Sequence, residues 1–123
     1  MSDYRAAVGS NVALASLTVI NPQPTSPGLK ATRRIFLGNG SVLDEGLYVE
    51  WIYSMVETPA QLTTILTPLG IQSLPSATVT IYTRNPLYQY KRYTGTAIQP
   101  EATWENYFIR NMVIIIRDLK LLP

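Results

Sequence analysis

Histidine and cysteine are both absent from these 123 residues. Thiolate nucleophiles, disulfide frameworks, Cys/His zinc patterns and histidine-based triads are therefore excluded as readings of the chain. Carboxylates and lysines remain as groups able to do acid–base or nucleophilic work. Asp44 and Glu45 are adjacent, while Glu50, Glu57, Glu101, Glu105 and Asp118 are scattered. No two of them are marked out as the facing pair that glycoside cleavage needs. Asp44-Glu45-Gly46 clusters only two hard ligands, too few for a calcium cage, and reads as the turn before a strand. Gly38-Asn39-Gly40 lacks the Lys and Ser/Thr that follow a phosphate loop, and the next predicted element is not a helix. Lys30, Lys91 and Lys120 lie in stretches that read as exposed, with no base to activate them. The expectation is a protein without catalytic residues, metal or cofactor.

One segment does concentrate functional-looking side chains. Tyr82, Arg84, Tyr88, Tyr90, Lys91, Arg92 and Tyr93 interleave rings with cations, and no acidic residue falls between Glu57 and Glu101. Rings that stack bases beside cations that hold phosphates describe a single-strand nucleic-acid binder, and a small barrel with one helix between strands is also the outline of an OB-type domain. The same residues describe a protein–protein interface, where Tyr and Arg combine contact area with a polar tip. The formal charge is only +2, too small an excess for a typical oligonucleotide groove, so the interface reading is preferred and no nucleic-acid partner is expected.

The elements that must position these residues are mainly strands. Eight Tyr, two Trp and many Thr, Val and Ile favour pleated surfaces. Arg33 to Leu37 is predicted as a short strand closed by Gly38-Asn39-Gly40, whose residues tolerate the positive φ of a tight turn. Leu47 to Val56 alternates, with Leu47, Val49, Trp51, Tyr53 and Met55 on the expected core face. One helix is predicted over about residues 58–69. Thr58 is its N-cap, Pro59 its first residue, Gln61 completes a capping box, and Leu62, Ile65, Leu66 and Leu69 form one apolar stripe. Ala77 to Arg84 and Leu87 to Thr94 read as a hairpin turned by Asn85-Pro86, with Thr96 to Ile98 a weak strand after it. Glu101 to Asn106 reads as loop. Asn111 to Leu119, rich in β-branched residues, is expected at the centre of the sheet with both faces covered.

Residues 1–30 read differently from the single β domain expected over 31–123. Asn11 to Ile20 could form one strand, and Pro22, Pro24 and Pro27 then make an extended spacer. Such a strand either packs as an edge on its own domain or crosses to a neighbour as an arm. The longest apolar run, Met112 to Ile116, is far shorter than the ~20 residues of a membrane-spanning helix, and the opening Met1-Ser2-Asp3-Tyr4-Arg5 lacks the pattern of a secretory signal. No membrane partner is expected.

The order of Arg34-Ile35-Phe36-Leu37-Gly38-Asn39-Gly40, Gly46-Leu47-Tyr48-Val49-Glu50-Trp51, the helix from Pro59, Val79-Thr80-Ile81-Tyr82-Thr83-Arg84 and the closing Val113 to Leu119 resembles small structural proteins of tailed bacteriophages. The likeness spans about residues 33–120. It implies a β-sandwich or small barrel with one flanking helix and an extended N-terminal arm. It also implies synthesis in a host cytoplasm and a life within the virion. In tail-tube subunits six copies form a ring, and in capsid-decorating proteins the chain clamps neighbouring capsomers. The expected partners are other copies of the chain and other virion proteins. The expected contacts are sheet edges, the arm residues Val12, Leu14, Leu17 and Val19, and the Tyr82–Tyr93 hairpin.

Overall fold

The computed structural model describes residues 3–85, 87–101, 104–105 and 108–123, and for Asp44 and Glu45 the backbone alone. Its strands are β1 (Arg5–Val8), β2 (Thr18–Val19), β3 (Leu29–Phe36), β4 (Val42–Val56), β5 (Ser76–Arg84), β6 (Tyr90–Ile98), β7 (Trp104–Glu105) and β8 (Phe108–Leu121). The helix α1 (Pro59–Leu66) continues into a 3-10 turn at Thr67–Leu69. All pairings are antiparallel and form one sheet in the order β2-β1-β5-β6-β8-β4-β3, with β7 beside β8. The fold is thus mainly β with a single short helix, as the composition predicts.

The sheet is rolled. Strands β4 and β5 are three places apart in the sheet, about 14 Å if it lay flat. Yet Trp51 Nε1 on β4 donates to Thr83 Oγ1 on β5 at 3.2 Å, and the Trp51 ring meets Tyr4 edge-on with centroids 5.6 Å apart. The inner face therefore closes on itself around Trp51, which is fully buried with Val49, Ile81, Ile114 and Ile116. The proline-rich stretch between β2 and β3 crosses the seam. Tyr53 Oη donates to the Pro22 carbonyl at 2.7 Å, Thr25 exchanges backbone hydrogen bonds with Ile52, and Arg84 Nη2 donates to the Ser26 carbonyl at 2.6 Å. Prolines suit this path because it needs few ladder donors.

The N-terminal residues take the edge-strand course within their own chain. The strand is Arg5–Val8, paired with β5, whereas Asn11 to Ile20 forms a loop, a 3-10 turn at Leu14–Ser16 and only the two-residue β2. Local composition favoured the later segment, but the available pairing edge of β5 selects the earlier one. Tyr4, Ala6 and Ile20 belong to the same core as the rest of the chain, so residues 1–30 are not a separate layer where they are described.

Strand boundaries shift in instructive ways. Strand β3 begins at Leu29 and β4 at Val42, so Asp44-Glu45-Gly46 is strand and not a turn. The weak strand at Thr96 to Ile98 is the continuation of β6. Of the segment expected as loop, Trp104–Glu105 pairs with β8, while Ala102, Thr103 and Asn106 lie outside the described residues, as does Pro86 of the expected turn.

The alternation in β4 holds from Val49 to Tyr53 and then breaks. Val56 is buried and Met55 is 45% exposed, the reverse of the expected parity. Pairing with β8 lapses between Tyr53↔Met112 and Met55↔Arg110, where Asn111 adopts φ 54°. Both strands rotate there, bringing Ile109 and Val56 inward together. Strand β8 is central, between β6 and β4, but Ile115 is 40% exposed. An antiparallel sheet with one face on the core leaves the other to solvent, so both faces of β8 are not covered.

Helix α1 follows its local signals. Thr58 Oγ1 accepts from Gln61 N at 3.1 Å, and Gln61 Oε1 accepts from Glu57 N at 2.8 Å, one residue earlier than a standard capping box. Ile65, Leu66 and Leu69 are buried, and Leu62 packs partly against them.

Candidate interaction surface

Among the described side chains, the charged groups named from the sequence are dispersed over the surface. Glu50 pairs with Lys30 at 2.8 Å, Glu105 with Arg110 at 3.6 Å and Asp118 with Arg117 at 3.7 Å, each beside a cation of its own neighbourhood. Among the described residues no three carboxylates cluster in a way that could hold a metal ion.

The Tyr82–Tyr93 segment divides into an internal part and an exposed tip. Tyr82 and Tyr90 lie 5.7 Å apart, and Tyr90 meets Tyr4 edge-on at 5.3 Å, which links both to the Trp51 cluster. Tyr93 is buried, and burial raises its phenol above the usual range. Arg92 is a clasp: Nη1 donates to the Val12 carbonyl at 2.8 Å and to Asn11 Oδ1 at 3.2 Å, and Nη2 donates to the Pro123 carbonyl at 2.8 Å. Arg84 holds Ser26 and covers the Tyr88 ring at 4.6 Å. The tip itself is prebuilt. Asn85 Oδ1 accepts from the backbone of Leu87 and Gln89, and Tyr88 sits at φ 62°, a costly setting for a non-glycine residue. Leu87 and Tyr88 are more than 70% exposed, and Lys91 is exposed beside them. Leu87 is absent from the residues nominated by sequence.

The nominated N-terminal residues are likewise divided. Leu17 is buried in its own chain, Val12 and Leu14 are half-buried, and Val19 is exposed on β2. The Val12 N–H donates to Thr80 Oγ1, which in turn donates to the Gly9 carbonyl, so this loop is fastened to β5.

A further cluster of exposed apolar side chains lies at the β3 edge of the sheet, where the sequence nominated sheet edges in general but no particular residue. Strand β4 pairs with β8 only from Tyr48 onward, while its residues 42–47 pair with β3 alone. The β3–β4 hairpin therefore leaves the sheet as a two-stranded ribbon. Gly46 marks the departure with φ 65°, and a Cβ there would lie 2.8 Å from Thr32 Oγ1. At the ribbon's end Phe36 is 77% exposed, and Leu37, Val42 and Leu43 are between 44% and 49% exposed. Cross-strand pairing sets Phe36 opposite Val42 and Ile35 opposite Leu43. A signal was available: apolar residues flank Gly38-Asn39-Gly40 on both sides, where a solvated hairpin end would be polar.

A groove of about 540 Å³ lies on another part of the surface, between α1 and the β1–β2 edge. Ala7, Val8, Thr18, Pro68 and the helix threonines Thr63, Thr64 and Thr67 line it, and none of these residues is charged. Thr64 Oγ1 donates to the Ala60 carbonyl and Thr67 Oγ1 to the Thr63 carbonyl. Those two hydroxyl protons are thus already donated within the chain.

No family model matches the chain, and neither a curated protein nor a solved structure matches it.

Proposed function

We propose that this chain is a structural virion protein of a tailed bacteriophage, of the tail type, that works by self-association and not by catalysis. The observation that carries the assembly reading is the β3–β4 ribbon. A two-stranded hairpin is at best marginally stable alone in water, and this one carries four large apolar side chains into solvent past the sheet. A second copy or a sister subunit would cover them. The tail assignment rests on the resemblance in element order over residues 33–120, with the prebuilt Leu87–Tyr88 tip as a further contact point.

A capsid-decorating role is the alternative within the same class. The nucleic-acid reading is weaker, because Arg84 and Arg92, two of the cations that would hold phosphates, are engaged with backbone carbonyls of their own chain.

Sedimentation velocity at micromolar concentration, followed by negative-stain imaging, tests the proposal. Rings or stacked tubes of regular diameter support the tail assignment, and binding only to preformed shells moves it to the capsid. A monomer at every concentration that also ignores other virion proteins overturns it.

A further inference from the structure

Resting on the assembly reading above, we infer that the contact between copies is head-to-tail: the apolar ribbon end of one copy enters the groove between α1 and the β1–β2 edge of the next. Three observations point to this pairing.

The first is chemical match. Residues 35–43 contain no charged side chain, and they place Phe36, Leu37, Val42 and Leu43 in solvent. The groove has no charged lining residue either, and the hydroxyls of Thr64 and Thr67 are already satisfied. An uncharged site walled by alanine, valine, proline and threonine side chains suits an apolar occupant better than a charged one, since a buried charge there would find no partner of opposite sign. The other exposed apolar tip, at Leu87 and Tyr88, is backed by the Arg84 guanidinium and suits the groove less well.

The second is availability. Phe36 stays 77% exposed and Val8, in the groove, 57% exposed, so the chain does not fill its own groove with its own ribbon. The third is placement. The ribbon is built from β3 and β4 and the groove from α1, β1 and β2, so donor and acceptor are different elements of the chain. Residues 42–47 carry the ribbon about 20 Å beyond its pairing with β8, enough to reach a neighbour. A donor and an acceptor at different sites of one chain make a heterologous contact, which propagates into a closed ring or an open filament and does not stop at a two-fold dimer.

Two variants at exposed positions test the arrangement. Phe36→Asp removes the donor and keeps the groove, whereas Thr64→Arg blocks the groove and keeps the donor. Each alone should be monomeric where the unaltered chain assembles, with at least a tenfold loss of apparent association and an unchanged near-UV circular dichroism spectrum. Mixed in equal amounts, they should form a dimer and nothing larger, since one productive contact remains. The absence of native cysteine allows a second reading: Phe36→Cys in one copy and Thr64→Cys in another should join on mild oxidation. If the unaltered chain assembles but both single variants assemble equally well, or the mixture stays monomeric and the cysteines do not join, the head-to-tail contact is wrong and self-association stands. If the unaltered chain associates neither with itself nor with other virion proteins, the assembly reading falls and takes this contact with it; if it binds only other virion proteins, this contact alone is wrong.

Discussion

Replacing Thr83 by valine tests the innermost polar contact of the molecule. The Trp51 N–H is buried and finds its partner in Thr83 Oγ1, so Thr83→Val keeps the shape and leaves a donor unpaired. A loss of about 1–3 kcal/mol is expected, measured by urea denaturation. Neighbouring tyrosines add a pH dependence. Burial raises the phenol of Tyr53 strongly, and burial likewise raises those of Tyr4 and Tyr93. A phenol whose folded pKa lies above its unfolded value near 10 favours the folded state while neutral. That stabilisation is complete below about pH 10 and is lost as pH rises through the folded pKa values. The melting temperature should accordingly show no tyrosine-linked change between about pH 7 and 9 and fall above about pH 10. Tyr53→Phe should flatten the fall, although it also gives up the hydrogen bond to Pro22. An equally steep alkaline decline in that variant would remove Tyr53 from the account.

Among the elements, the two glycines at strand irregularities do different work. Gly95 lies where the β6–β8 register shifts between Thr94 and Thr96, and a Cβ there would come within 2.7 Å of the Arg117 carbonyl and of Leu119. Backbone cannot step aside as a flexible side chain can, so Gly95→Ala should cost about 1–3 kcal/mol or more in global stability. Gly46 sits at the base of the ribbon, where the strand turns away from β8. Its replacement by alanine should disturb the ribbon more than the core, lowering association before it lowers the melting temperature. The helix cap offers a calibrated comparison. Thr58→Ala removes one exposed hydrogen bond to Gln61 N and should cost about 1 kcal/mol. Equal losses for Gly95→Ala and Thr58→Ala would mean that β8 relaxes around the added methyl.

For the whole molecule, the proposed assembly is driven by uncharged surfaces, which fixes its response to salt. Association should change little between about 0.05 and 0.5 M sodium chloride and strengthen in sulfate, because screening acts on charges while sulfate favours apolar burial. A steep weakening with sodium chloride, read by light scattering, would assign the contact to ion pairs instead. Much of the architecture was legible in the residues themselves. The cap at Thr58, the leucine stripe of α1, the Val49–Trp51–Tyr53 face and the Gly38-Asn39-Gly40 turn are local patterns, and each forms where its period or its turn chemistry predicts. What sequence could not supply is whatever depends on a distant partner. That Arg5–Val8 and not Asn11–Ile20 becomes the main N-terminal strand depends on the free edge of β5. That Tyr93 is buried and Arg92 is held by its own chain on the opposite face of β6 depends on which residues of the first and last segments lie beside that strand. That Phe36 and Leu43 end in solvent depends on β8 leaving β4 at Tyr48. Residue type and spacing determined the β character, the helix and its cap, because those follow from each residue and its near neighbours. The tertiary structure alone decided which apolar side chains are core and which are left for another molecule, because burial is a property of all the chain that surrounds a residue.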